Sequence, residues 1–122
     1  MTLLLYLIYD LHLTPHARAH PDEFWAWAVE REPWFYEGLA MVDGTRWLDF
    51  GPVVQHLVLF ADQDALARYR EAIGRKQENP AWEARRVSQD LWYTIPGGSR
   101  VAADPPVATL GQYVEARTLS AK

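Results

Sequence analysis

This sequence predicts an α+β fold with an antiparallel sheet, in the order strand, helix, strand, strand, helix, strand. Three observations lead to that prediction. The opening segment TLLLYLIYDLH is apolar on both faces up to Ile8, as expected of a central strand. Two later segments have the apolar spacing of helices and begin with residues that favour a helix start. Between them, two strand-like runs joined by Gly-Pro have the pattern of a β-hairpin.

The first half of the chain supplies one strand and one helix. The strand is expected to end before Pro15, because proline cannot donate to a β-ladder and restricts the residue before it. A helix is expected over residues 21–32, since Pro21 suits the first turn. Its apolar side chains cover an arc of about 200°, which is wider than packing against one neighbour requires. Pro33 is expected to stop or kink this helix.

The second half begins with the hairpin, whose strands are expected over residues 45–50 and 53–61. Asp62 is then expected to cap a helix that runs to about Lys76. Asn79 followed by Pro80 predicts a second, short helix that ends near Val87.

The last predicted strand covers residues 90–95, with the sequence DLWYTI. Pro96-Gly97-Gly98 should end the compact part of the chain. The tail from residue 97 onwards is expected to be mostly irregular, although Tyr113-Val114 could add a short strand. We therefore divide the chain into an α+β domain of residues 1–96 and a tail of residues 97–122. Packing of that tail on a partner subunit is one role open to it.

Composition narrows the class of protein. The chain of 122 residues is long enough for one domain and too short for two. A net charge of −4 without a run of basic residues argues against nucleic acid or an anionic membrane as the main partner. The absence of cysteine excludes disulfides and thiol nucleophiles and suits a cytoplasmic protein. The apolar N-terminus lacks a basic region and falls short of the roughly 20 residues of a membrane span.

The predicted element order is the ferredoxin-like βαββαβ arrangement. Right-handed crossovers place the first strand in the middle of the sheet, antiparallel to the third and fourth strands. Helices then cover one face of the sheet, and a second copy of the chain is expected to cover the other. The sequence therefore predicts a homodimer formed by sheet-to-sheet packing.

A family resemblance lies in the segments LLLYLIYDL, HLVLFADQDALARYREAI and NPAWEARR. Over residues 1–95 the chain resembles the dimeric α/β-barrel superfamily. That superfamily includes the antibiotic-biosynthesis-monooxygenase-like group and the aromatic polyketide cyclases. The resemblance implies a dimer whose sheets close into a barrel. It also implies a reaction without a cofactor on an aromatic or polyketide-like molecule held between sheet and helices. The segment WEAR, at residues 82–85, lacks the histidine that haem-binding relatives use, so no haem is expected.

Polar residues at the strand ends are the candidates for catalysis. Asp10 and His12 share one face of the first strand, because side chains two apart point the same way. His56 would join them if Leu57 and Leu59 face the helices. An aspartate beside a histidine can orient the ring as a general base. Two alternatives stay open. In the first, these strand-end residues only make hydrogen bonds with water. In the second, they form a metal site at this end of the sheet.

A second group of residues could bind a substrate. Trp82 and Arg86 are one helical turn apart, so the arginine could hold an acidic group or simply lie in solvent. Trp27 and Trp92 could wall a flat apolar pocket or belong to the core and dimer interface, and Tyr6 offers a hydroxyl to the interior.

Three hypotheses of function follow. The leading one is a small oxygenase or cyclase that works without a cofactor, with His12 or His56 as the base. The first alternative is a binding or interaction protein of the same fold with no chemistry. The second is a metal-dependent enzyme that uses Asp10, His12 and His56.

Overall fold

The computed structural model describes residues 4–103 and 116–117 of the chain. The described part has an α+β architecture, as predicted from the sequence. Within it, no helix is both long enough and apolar enough to cross a membrane. Its elements are β1 (Leu5–Leu13), α1 (Pro15–Ala19), α2 (Pro21–Phe35), β2 (Gly44–Asp49), β3 (Val53–Phe60), α3 (Gln63–Gln77), α4 (Pro80–Arg86), a 3₁₀ helix (Val87–Leu91), β4 (Tyr93–Thr94), β5 (Ser99–Ala103) and β6 (Ala116–Arg117).

The strands form one antiparallel sheet in the order β4–β1–β3–β2–β6. β1 pairs with β3 from Leu5 opposite Phe60 to His12 opposite Val53, so the first strand is central, as predicted. The order of the first four strands is compatible with a ferredoxin-like fold. The predicted hairpin is also confirmed, since β2 and β3 pair on either side of a turn in which Gly51 has a φ of 90°.

The two faces of the sheet carry different residues. The inner face packs on α2 and α3 through alternate side chains of β1 such as Leu7 and Leu11. The outer face carries an apolar cluster that includes Tyr6, Ile8 and Leu57. These outer side chains are already buried in the single chain. Burial of these side chains therefore does not require a second copy, and the dimer stays a prediction.

Helix α2 extends three residues beyond its predicted end, to Phe35, with Pro33 inside it. Proline removes its own N–H, whose partner here would be the carbonyl of Val29, and its ring crowds that carbonyl. Both residues lie on the exposed side of the helix, where water can serve that carbonyl. The other predicted helices are confirmed, with side-chain caps from Asp62 on α3 and Asn79 on α4.

The fourth strand differs most from the prediction. Residues 87–91 form a 3₁₀ helix, and only Tyr93–Thr94 of the predicted segment pairs with β1. The chain then turns at Gly98, whose φ is 68° and whose N–H donates to the carbonyl of Ile95. It returns to the same edge of β1 as β5, beyond the boundary placed at residue 96. The expected strand at Tyr113-Val114 lies outside the described residues.

Candidate active site

A cavity of about 250 Å³ lies between the inner face of the sheet and the helices. Its size is just below the roughly 300–1,000 Å³ of sites for drug-sized ligands, so it suits a small aromatic molecule. Three arginines and one histidine line the cavity, and none of its described lining residues is acidic. The lining residues are Leu7, Tyr9, Leu11, Arg31, Phe35, Tyr36, His56, Tyr69, Arg70, Ile73, Gln77, Arg86, Gln89, Tyr93 and Ile95.

Arg31 is the buried cation of this cavity. Helical spacing of three and four residues places it on the apolar stripe of α2 with Phe24, Ala28 and Phe35, and its exposure is only 5%. The centre of its guanidinium lies 3.8 Å from the centre of the Phe35 ring. Burial alone would lower the pKa of Arg31, but Tyr36, Tyr93 and Glu32 together raise it. Arg31 therefore stays charged inside the protein.

Glu32 balances part of that charge. Its Oε2 atom accepts a hydrogen bond from Arg31 Nη1 at 3.0 Å. Its other oxygen, Oε1, accepts from the hydroxyl of Thr45 at 2.6 Å and from the indole N–H of Trp47 at 3.2 Å. The carboxylate is thus held by α2 and β2 together, and it fixes the guanidinium against the wall of the cavity.

His56 is a deeply buried titratable group of the sheet. It lines the cavity from the middle of β3 at 3% exposure, and its ring stacks on Trp47 with 4.1 Å between ring centres. Its Nε2 atom is buried without a hydrogen-bond partner among the described residues. Burial, assisted by the charge of Arg31, holds the pKa of His56 well below its usual value of 6.5. The imidazole is therefore neutral at physiological pH.

Four tyrosine hydroxyls surround these two groups. The hydroxyl of Tyr36 is buried and makes no well-aligned hydrogen bond within the described residues, although Arg31 lies close to it. Burial raises the pKa values of Tyr9, Tyr36, Tyr69 and Tyr93, and the charge of Arg31 opposes this only in part. All four hydroxyls therefore stay protonated, and that of Tyr93 donates to Oε1 of Gln89 at 3.1 Å.

Asp10 and His12 lie on the outer face, away from this cavity. Burial would raise the pKa of Asp10, but hydrogen bonds from Arg100 and Gln55, the latter of 3.0 Å, lower it. His12 is exposed. Because Leu57 and Leu59 face outwards, the condition under which His56 would join Asp10 and His12 is not met, and His56 points to the opposite face. The pleat of β3 separates the three side chains, so together they cannot hold a metal ion.

The predicted binding residues are scattered over the fold. Arg86 lines the cavity, with both ends of its guanidinium bound to Glu83. Trp27 and Trp92 pack together in the core beside the cavity, with 6.2 Å between their ring centres, and neither lines it. Trp82 packs on Phe35 from α4. Tyr6 lies in the outer apolar cluster.

Sequence reasoning missed Arg31, which lines the cavity. The missed signal was a charged residue at a position of the apolar stripe of α2. A buried charge in such a place needs a partner or a function.

Within the described residues, no group of three or more histidine, aspartate or glutamate side chains is arranged to hold a metal ion. No protein-family model and no curated protein matches this sequence.

Proposed function

We propose that this chain is a small enzyme that needs no cofactor and removes a proton from an aromatic or polyketide-like molecule in the inner cavity. One observation supports the proposal above all. The cavity contains a neutral histidine and a tyrosine hydroxyl, both buried without a hydrogen-bond partner among the described residues, beside a buried arginine. Buried polar atoms without partners are costly in a folded protein, and a ligand that pairs with them would remove that cost.

In the proposed reaction, His56 is the base. In the tautomer that leaves Nε2 unprotonated, this nitrogen accepts a proton from an acidic C–H or O–H of the substrate. Its lowered pKa keeps it unprotonated in the free enzyme. The negative charge that forms on the substrate then stabilises the imidazolium beside it, which burial alone would disfavour.

Arg31 and Tyr36 stabilise the other product of that step. Proton removal next to a carbonyl leaves negative charge on the carbonyl oxygen. A fixed guanidinium and a hydroxyl donor in a site with little water can bind such an oxyanion strongly. Glu32 holds the guanidinium in place, so the site does not have to reorganise during the reaction.

The enolate has two possible fates, which correspond to the two reaction types expected from the resemblance. With dioxygen as co-substrate, a CH₂ group and O₂ become a carbonyl group and one water. In a cyclase, the enolate carbon instead attacks a carbonyl carbon of the same molecule, and the new alkoxide takes up a proton. Both begin with the proton transfer assigned to His56.

We also propose that the chain forms a homodimer, as the resemblance implies. Sedimentation equilibrium tests this part separately. The mass of two chains would support it, and the mass of one chain would contradict it.

Deuterium exchange tests the proposed base most directly. Tetralone, a small bicyclic ketone with an acidic CH₂ group, is incubated with the protein in D₂O, and loss of its proton signal is followed by NMR. We expect wild-type protein to accelerate exchange and His56→Phe to reduce the acceleration by about 10²-fold or more. The matched control on the outer face, His12→Ala, should exchange at the wild-type rate.

Two results would contradict the proposal. Loss of exchange in His12→Ala but not in His56→Phe would return the chemistry to the outer face. Binding of tetralone without any exchange would favour the non-catalytic binding protein. Oxygen uptake during the same incubation separates an oxygenase from a cyclase.

A further inference from the structure

Arg70 is a cation at the cavity whose charge is not used within the described structure. It lies on α3, lines the cavity and is exposed, so it stands where the cavity meets solvent. Among the described residues it forms no salt bridge. The other two arginines of the lining are paired, Arg31 with Glu32 and Arg86 with Glu83. As far as the described residues go, Arg70 therefore offers the cavity an unpaired positive charge.

Helical spacing explains why Arg70 has no partner on its own helix. Acidic residues four positions earlier pair with the other two arginines of α3, Asp64 with Arg68 and Glu71 with Arg75. The positions four residues before and after Arg70 are Leu66 and Gly74. A Cβ atom at Gly74 would meet nothing within 4 Å, so this flank of the arginine is open.

We propose that the ligand of the cavity is a small aromatic carboxylate, with its carboxylate bound by Arg70 at the mouth and its ring inside. This inference rests on the proposed function and names the class of its substrate. A guanidinium binds a carboxylate through two parallel hydrogen bonds, which give orientation as well as affinity. The position at the mouth matters because both charged groups keep part of their hydration there.

This arrangement assigns separate tasks to two arginines. Arg70 fixes the acidic end of the molecule, and the ring lies among the apolar lining of Leu7, Leu11 and Ile73. The oxygen that becomes negative during the reaction lies at Arg31, near Nε2 of His56. Binding at the remote arginine would thus hold the reacting carbon beside the base.

A matched pair of ligands tests the inference by calorimetry without requiring turnover. Naphthoate and naphthamide have the same ring and nearly the same shape, and only the first is charged. We expect wild-type protein to bind naphthoate at least about tenfold more tightly, the usual scale of one charge-assisted hydrogen bond. Arg70→Gln should bring the two affinities to within about threefold by weakening naphthoate alone. Arg68→Gln, an exposed arginine on the same helix outside the cavity lining, should keep the wild-type preference.

Equal affinities of the wild-type protein for the two ligands would overturn the inference while leaving the assignment of His56 as base intact. A preference that survives in Arg70→Gln would overturn the role of Arg70. Failure of His56→Phe to slow tetralone exchange, with the naphthoate preference present, would instead contradict the proposed function alone.

Discussion

The two faces of the sheet differ in where their polar residues lie and in how they are satisfied. On the outer face, Asp10 accepts hydrogen bonds from Gln55 and Arg100 and is partly exposed. On the inner face, His56 and Tyr36 carry polar atoms that are buried without a hydrogen-bond partner in the described chain. One outer atom, Oε1 of Gln55, is also buried without a partner among the described residues, but it does not line the cavity. The inner atoms line a cavity in which a ligand could satisfy them.

This comparison teaches that a polar residue at a strand end is a weak indicator of function. Water and neighbouring side chains can satisfy it at low cost. A polar residue on the buried face of a helix or strand is a stronger indicator, because burying it costs stability.

The largest expected difference between the faces concerns their arginines. Arg31→Met should lower the free energy of unfolding by about 3–5 kcal/mol, because it leaves the partly buried carboxylate of Glu32 without its cationic partner. Arg100→Met, which removes an exposed partner of Asp10, should cost about 0–1 kcal/mol. Urea denaturation at neutral pH measures both. Similar losses in the two variants would show that the Arg31 pair is no more structural than a surface pair.

The next difference concerns pH. Burial keeps the pKa of His56 in the folded chain well below 6.5. Just below pH 6.5, this histidine therefore binds a proton in the unfolded chain but not in the folded chain. The free energy of unfolding should therefore fall as the pH drops below 6.5, and His56→Phe should reduce that fall. His12→Ala leaves His56 in place and serves as the control. A fall of the same size in His56→Phe as in the wild type would contradict the burial of a neutral imidazole.

The smallest expected effect is that of Asp10→Asn. The asparagine keeps an acceptor for Gln55 and loses only a partly exposed ion pair with Arg100, so the cost should be about 0–1 kcal/mol. Tetralone exchange should stay at the wild-type rate, since Asp10 lies on the face opposite the cavity. Loss of exchange in a variant that is still folded by circular dichroism would make the outer face the site of the chemistry.

Much of the fold could be predicted from local signals. An opening strand apolar on both faces indicated its central place, and Asp62 and Asn79 marked helix starts by capping. Strand β5 could not be predicted in this way. It is short and partly polar and follows Pro-Gly-Gly, so only its pairing with β1 makes it a strand.

The site was harder to predict than the fold because it depends on the direction of side chains. The run VVQHLVLF has apolar residues on both faces, so its sequence does not show which face His56 occupies. The register with β1 and β2 decides this by placing His56 opposite Tyr9 and Trp47. The burial of Arg31 could in principle have been predicted from its helical spacing with Phe24 and Phe35. That prediction would have required the helix to continue past Pro33.

NMR of the four histidine side chains, labelled with ¹⁵N, tests most directly the claim that the inner cavity is the functional site. Spectra would be recorded with and without naphthoate, and each resonance assigned by substitution of one histidine at a time. Ligand binding should shift the His56 resonances and leave those of His12 unchanged. A shift at His12 with His56 unaffected would contradict the account and place the functional site on the outer face.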